Sequence, residues 1–156
     1  MLAEFRWVTA DAVRPLRYAI LRPDEPPEHS IYPGDDAPEA RHIAVYEDGR
    51  LVGVASVLHQ PPPGESDPLA WRVRGVATLP DVRGRHYGVG MMRRLVVYAA
   101  QQGGTRMWGY GRLEVKGFYE RLGFRYEGEV LDIGRRNERQ FMWRPVTEQD
   151  TISVHG

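Results

Sequence analysis

The chain of 156 residues contains no cysteine. That absence excludes disulfides, thiolate metal sites and cysteine nucleophiles together. Lysine is almost absent too: Lys116 stands alone beside 20 arginines. Without interleaved lysines or a recognisable binding motif, a nucleic-acid coat is not expected. The single asparagine, Asn137, precedes Glu138 and Arg139, so there is no glycosylation sequon. No stretch approaches the ~20 apolar residues of a membrane helix. The first residues lack a charged patch followed by an apolar run, so no signal peptide is expected. A cytoplasmic location follows as the expectation. Five histidines are scattered without ligand spacing, which argues against a metal. No lysine follows a glycine loop, Gly109-Tyr110-Gly111 lacks a third glycine, and Ser56 sits in no nucleophile elbow.

What is present fits one folded domain. Hydrophobic residues make up 42% and charged residues 27%, the balance of a globular chain with a real core. The expected domain is 1–146, followed by a loose tail at 147–156. Net charge is zero but unevenly spread. Residues 1–80 carry 8 basic and 12 acidic side chains, whereas residues 81–144 carry 13 basic and 7 acidic. A basic half in a neutral chain suggests a local anion site.

Periodicity supplies the elements. Glu4–Val8 reads as a strand, and Thr9 as the N-cap of a helix to about Leu21. A proline-rich, acidic loop follows. It reads either as solvated chain or as a mobile acidic lid attracting a cation. Strands are expected at His42–Glu47 and Leu51–Leu58, joined by the hairpin signal Asp48-Gly49. A longer strand at Ala70–Leu79 alternates, with Arg72, Arg74, Val76 and Thr78 on one face. Met91, Met92, Leu95, Val96 and Ala99 mark a helix stopped by Gly103-Gly104. Arg106–Gly109 is a strand, Glu114–Arg121 a helix, and Phe124–Leu131 with Arg139–Arg144 a last hairpin. The fold class is α/β (α+β): a mixed, mostly antiparallel twisted sheet flanked by helices. A strand–helix–strand unit over 70–109 implies a parallel or splayed pair.

The chemistry concentrates in Val76-Ala77-Thr78-Leu79-Pro80-Asp81-Val82-Arg83-Gly84-Arg85-His86-Tyr87-Gly88-Val89-Gly90. This segment joins the end of a strand to the start of a helix. N–H groups there have no partner within the helix, and the helix dipole adds positive potential. Glycines let the backbone approach a ligand, so the turn can cradle a pyrophosphate. Arg83 and Arg85 add charge beside it.

This segment resembles the Arg/Gln-x-x-Gly-x-Gly/Ala hallmark of the GNAT superfamily of acetyl-CoA-dependent acyltransferases. Gly117-Phe118-Tyr119-Glu120-Arg121-Leu122-Gly123-Phe124 is similar to the family's Phe-Tyr-x-x-x-Gly-Phe helix. Trp71-Arg72-Val73-Arg74-Gly75-Val76-Ala77 is similar to its preceding strand. The resemblance spans about residues 41–145. It implies acetyl-CoA as donor and a primary amine as acceptor, with transfer direct. A homodimer stays open. It further implies coenzyme contacts at Val76, Ala77, Thr78, Arg83, Gly84, Arg85, His86, Tyr87, Gly88, Val89, Gly90 and Arg112, the last where an asparagine is common. Tyr119 takes the place of a tyrosine general acid, its other reading being core packing.

Two registers fit the hallmark. Arg85-x-x-Gly88-x-Gly90 matches literally. A gapless register starts at Arg83 and puts His86 where the first glycine stands, which keeps Met91, Met92 and Leu95 on the buried face. The latter predicts a helix from about Tyr87. The glutamate base frequent in the family is absent from the strand Arg106–Gly109, leaving Glu114 and His59 as weak candidates. A catalytically degenerate coenzyme-binding domain is therefore the alternative. On the acceptor side, Arg72 and Arg74 suit a carboxylate or phosphate. Asp36, in the acidic loop, suits an amine.

Overall fold

The computed structural model describes residues 2–134 and 137–151. Its elements run β1 (Ala3–Val8), α1 (Ala10–Leu16), β2 (Arg41–Glu47), β3 (Arg50–His59), β4 (Ala70–Thr78), α2 (Tyr87–Gln101), β5 (Arg106–Arg112), α3 (Lys116–Arg121), β6 (Arg125–Leu131) and β7 (Arg139–Pro145). One seven-stranded sheet has the order β1-β2-β3-β4-β5-β7-β6. Every pairing is antiparallel except β4 with β5. That is the mixed sheet with a parallel pair that the element order implied.

Two layers cover the sheet. On one face α2 buries Met91, Met92, Leu95, Val96 and Ala99 against Ile43, Val45, Val52, Val57 and Val73. Each fully buried methionine or leucine contributes roughly 1.5–3 kcal/mol. On the other face α1 buries Val13 and Leu16 against Ala44, Val54 and Ala77. Local sequence sets the ends. Gly103, at φ +81°, closes α2, with Gly104 N–H donating to Ala99 O at 2.9 Å and Gly103 N–H to Ala100 O at 3.0 Å. Asp48 and Gly49 both take positive φ in the β2–β3 hairpin, as that dipeptide prefers.

Four expectations change. The first helix is α-helical only to Leu16 and widens into a π-helical turn at Arg17–Leu21. Thr9 occupies the N-cap position, but its hydroxyl caps nothing. The even alternation of β4 also fails. The β3–β4 register shifts between Val54 and Ser56, and Gly75 takes φ +66°. This bulge inserts one residue, so Arg72 and Arg74 keep the α1 face while Val76 turns to the α2 core and Ala77 to the α1 core. Finally, the chain after Pro145 is packed further than a loose tail. Val146 is buried, residues 148–151 form a turn against α2, and Arg144 donates to Asp150 at 3.0 Å. Residues 152–156 of the expected tail lie outside the described residues.

Candidate active site

The parallel pair defines the site. β4 and β5 pair only at Ala70↔Arg106, Trp71↔Met107 and Arg72↔Trp108. Both strands continue beyond that point without pairing to each other, β4 to Thr78 and β5 to Arg112. The β4 bulge lies just past the last pair. A crevice therefore opens between the strands, edged by backbone polar groups of β4 around Val76, Ala77 and Thr78.

At the end of β4 the chain makes a 3-10 turn over Pro80–Val82 and enters α2 at Tyr87. His86 holds the N-cap position in the left-handed conformation, φ +65° and ψ 22°. A non-glycine residue there carries strain of about 1–2 kcal/mol. The helix start and this backbone select the gapless register, in which Arg83 begins the motif and His86 fills a glycine position. The first helical bond runs from Gly90 N–H to His86 O at 3.0 Å. The N–H groups of Tyr87, Gly88 and Val89 precede that ladder, and no side chain caps them. Together with the helix dipole they supply the open donors that an anion cradle requires.

The motif's other residues divide their work. Gly84 takes φ +90°, as the turn requires. A Cβ at Gly88 would lie 3.1 Å from the Phe118 ring, so this glycine brings α2 against α3. A Cβ at Gly90 would collide with Phe5, so Gly90 serves packing of β1. Arg83 is exposed and donates to Thr78 O at 3.2 Å, beside the cradle. Arg85 is drawn aside by Glu47, which also accepts from the Tyr87 hydroxyl at 2.6 Å. The basic excess of residues 81–144 is thus not gathered at the turn. Arg106 pairs with Glu65 and Asp67, Arg139 with Asp132, and Arg144 with Asp150.

Tyr119 stands on α3, on the α2 side of the crevice. Its ring lies edge-on to Phe118 and Phe124, at centroid distances of 4.9 and 5.7 Å. Gly123, at φ +95°, ends α3 so that Phe124 N–H returns to Tyr119 O at 3.1 Å. The residue is therefore fixed at both backbone and ring. Burial raises its hydroxyl well above the usual phenol range, and nearby Tyr126 adds to this while Arg112 opposes it. Tyr126 is itself pushed up to about 12 by burial and donates to Arg112 O at 3.2 Å. The Arg112 side chain donates through Nε to Asn137 Oδ1 at 3.1 Å and lies 3.6 Å from Glu114. Of the weak base candidates, Glu114 is exposed, and His59 stacks on Trp71 at the opposite end of β4.

The opposite wall carries what sequence reasoning missed. Arg17, on the π-helical turn, is fully buried. It donates to Asp35 at 2.7 and 3.1 Å, to Ser30 O at 3.1 Å and to Ser56 Oγ at 2.9 Å, and its guanidinium lies 4.0 Å above the Tyr32 ring. Arg74 donates to the same Asp35 at 3.2 Å and to Pro33 O. His42 lies against Asp35 O at 2.9 Å through Nε2 and Ser56 Oγ at 2.6 Å through Nδ1. A carbonyl only accepts, so Nε2 carries the proton and the Ser56 hydroxyl donates to Nδ1. Burial lowers His42, consistent with this neutral ring. Burial alone would raise Asp35. The Arg17 hydrogen bonds and charge, the Tyr32 N–H and Arg74 outweigh it and hold the carboxyl at about 2.

This network buttresses the bulge: a Cβ on Gly75 would lie 2.9 Å from Arg17 Nε. It also corrects the picture of a free acidic lid, because Asp35 is turned inward and shared by three arginines, Arg14, Arg17 and Arg74. Asp36 is exposed and lies 4.0 Å from Arg14. The pairing of Arg17 with Asp35 was hidden because amphipathic spacing marks buried apolar residues, not buried charges. The one signal was the polar pair His42 and Ser56 within the mostly apolar strands β2 and β3. Among the described residues, no cluster of His, Asp or Glu could hold a metal.

A protein-family model described as the acetyltransferase (GNAT) family matches residues 10–124. An uncharacterized N-acetyltransferase of Bacillus subtilis (strain 168), YitI, is 32% identical over 132 residues, 85% of this chain and 89% of that protein. Among solved structures, Escherichia coli ElaA superposes with a TM-score of 0.73 at 20% identity, covering 92% of this chain and 99% of its own. The E. coli ribosomal-protein-S18-alanine N-acetyltransferase gives 0.72 at 12% identity, with coverage of 94% and 95%. At such identities the two structures speak for the fold.

Proposed function

This chain belongs to the acetyltransferase (GNAT) family and is an acyltransferase, and on that premise we propose that it moves an acetyl group from acetyl-CoA directly to a primary amine of a small molecule or peptide. The observation that carries this reading is the uncapped start of α2 beside the unpaired edge of β4. Free N–H groups at Tyr87, Gly88 and Val89 suit a pyrophosphate. Arg83 adds a charge at the rim. The β4 edge at Val76, Ala77 and Thr78 offers backbone groups to an extended amide chain, as a sheet edge does to a strand.

When bound, acetyl-CoA supplies an acetyl thioester. The protein's part is to hold the two reactants in the crevice and to manage protons. The amine nitrogen must attack uncharged. Its bond to the carbonyl carbon forms as the carbon–sulfur bond breaks, the nitrogen gives up one proton to water, and the sulfur leaves as a thiolate that takes one. Tyr119 is the donor in this reading. Its raised hydroxyl stays protonated across the working pH range, so it always carries the proton it would give. The cysteine-free chain has no thiol of its own to carry the acetyl group, which favours direct transfer. A cytoplasmic setting accompanies the reading, and among the described residues no helix is long and apolar enough to cross a membrane.

The test is thiol release from acetyl-CoA, followed spectroscopically against a panel of amines. Release that depends on one class of amine, matched by an acetylated product, is expected. A rise in melting temperature with acetyl-CoA but no release with any amine would assign the chain to coenzyme binding without turnover.

A further inference from the structure

On the face that carries α1, β4 and β5 leave a row of side chains at the mouth of the crevice. Arg72 stands at the last β4–β5 pair, opposite Trp108. Its guanidinium lies 5.0 Å from the Trp108 ring and 5.9 Å from the Tyr110 ring, and it donates to Gln60 Oε1 at 3.2 Å. Its Nε is buried with no hydrogen-bond partner. Among the described residues no carboxylate pairs with it.

Arg17 and Arg74 also have an unpartnered Nε, but the neighbouring arginines differ in having a carboxylate. Arg17 and Arg74 share Asp35, Arg106 has Glu65 and Asp67, and Arg139 has Asp132. Burying an arginine without a counter-ion is costly, because protein dipoles replace its hydration incompletely. Burial lowers the Arg72 guanidinium, and Arg139 opposes its charge as well. A half-buried, uncompensated cation at the edge of a reaction crevice is an incomplete ion pair.

An open groove of about 300 Å³ adjoins it, lined by Pro62, Pro63, Tyr110, Leu131 and Phe141, with Glu65 and Glu129 at its edge. Tyr110 and Phe141 meet edge to face at 6.1 Å, and Trp108 stacks on Phe141 at 5.9 Å. Glu65 is held by Arg106. Glu129 is exposed and, among the described residues, unpaired. The groove thus offers one free anion and an apolar floor, and the Arg72 cation stands beside it, 5.9 Å from the Tyr110 ring.

We propose that Arg72 receives the carboxylate of the acceptor, so that the acceptor is an amino-acid-like amine whose apolar side chain lies on Tyr110 and Phe141. This deepens the reading of an amine acetyltransferase and rests on it. Arg74 does not share the role, because Asp35 and Pro33 O already hold it. Glu129 attracts the acceptor's ammonium group before the amine loses its proton.

The experiment compares L-phenylalanine, L-phenylalaninamide, phenethylamine and O-phosphoethanolamine as acceptors in the thiol-release assay. The carboxylated acceptor is expected to exceed the amide and phenethylamine by about tenfold or more in kcat/KM, the range of a charge-assisted pair. Arg72→Gln is expected to raise KM for phenylalanine by a similar factor, to leave kcat near wild type and to change the amide little. Arg72→Lys is expected to recover part of the loss. Equal use of amide and acid, or an Arg72→Gln variant with unchanged KM, overturns the proposal. Preference for O-phosphoethanolamine overturns the carboxylate assignment in favour of phosphate. Direct titration of N-acetyl-L-phenylalanine into wild type and Arg72→Gln, with both melting temperatures measured, separates the two levels. Binding that is lost only in the variant upholds the receptor even if no thiol is released. No binding to wild type refutes it even if other amines turn over.

Discussion

The two sides of the β4–β5 crevice treat their polar groups in opposite ways. At the start of α2, the N–H groups of Tyr87, Gly88 and Val89 have no cap, and His86 is held in a left-handed backbone. Under the β4 bulge, Arg17, Asp35, Ser56, His42 and Arg74 are joined by hydrogen bonds. One side presents donors that no side chain caps, and on the other the charges of Arg17 and Arg74 are met by Asp35 within the chain. The difference teaches where binding energy is stored and where rigidity is made. Open donors are useful only to an anion that arrives. A buried network built on one shared carboxylate holds its segment in place and makes residues 17–40 a wall.

The comparison can be broken from its rigid side first. Asp35→Asn leaves Arg17 buried beside a neutral amide and is expected to destabilise the fold by about 3 kcal/mol, measured by urea unfolding at pH 7. A loss no larger than that of an exposed carboxylate, such as Asp36→Asn, would show that the wall is not held this way. The next effect belongs to chemistry. Tyr119→Phe should lower kcat about 100-fold while the KM for acetyl-CoA and the melting temperature hold. Unchanged turnover would reduce Tyr119 to packing.

A smaller effect is expected at the open side. His86→Gly removes the positive-φ strain and should raise stability by about 1 kcal/mol without weakening acetyl-CoA binding. Weaker binding would mean that the imidazole contacts the ligand. The smallest effect is in pH. Folding keeps His42 neutral below its ordinary 6.5, whereas the unfolded chain takes up a proton there. Stability is therefore full above about pH 6.5 and declines below it. Asp35 acts in the same direction lower down: its contribution is full above 3.8 and is lost as pH falls toward about 2. Urea midpoints that rise on acidification from pH 7 to 5.5 would contradict this sign.

Much of the fold was legible because its signals are periodic. The buried methionines of α2, the Asp48-Gly49 hairpin and the glycine stops of α2 and α3 all sit where the pattern placed them. The gapless register followed from burial of Met91 and Met92, and the backbone of His86 agrees with it. The β4 bulge was not legible, since one inserted residue leaves no mark in a run of alternating side chains. Yet it moved Val76 and Ala77 to opposite cores and so changed which side chains share a face with Arg72. The arginine excess after residue 80 was visible as a sum but not as a map. Arg85 answers Glu47 and Arg106 answers Glu65, partners 38 and 41 residues away. Such pairs depend on strand order, which composition does not contain. Arg72 is the instructive remainder, because its meaning lies in the partner that its neighbours have and it lacks.

The contrast between an open donor side and a closed opposite wall is tested most directly by amide hydrogen exchange with and without acetyl-CoA. Without ligand, the amides of residues 84 and 86–89 should exchange fast, while the Tyr32 amide, bonded to Asp35, exchanges slowly. Saturating acetyl-CoA should then slow exchange at 86–89 strongly and leave residues 17–35 unchanged. Protection that appears at 17–35 while 86–89 stay fast would contradict the account.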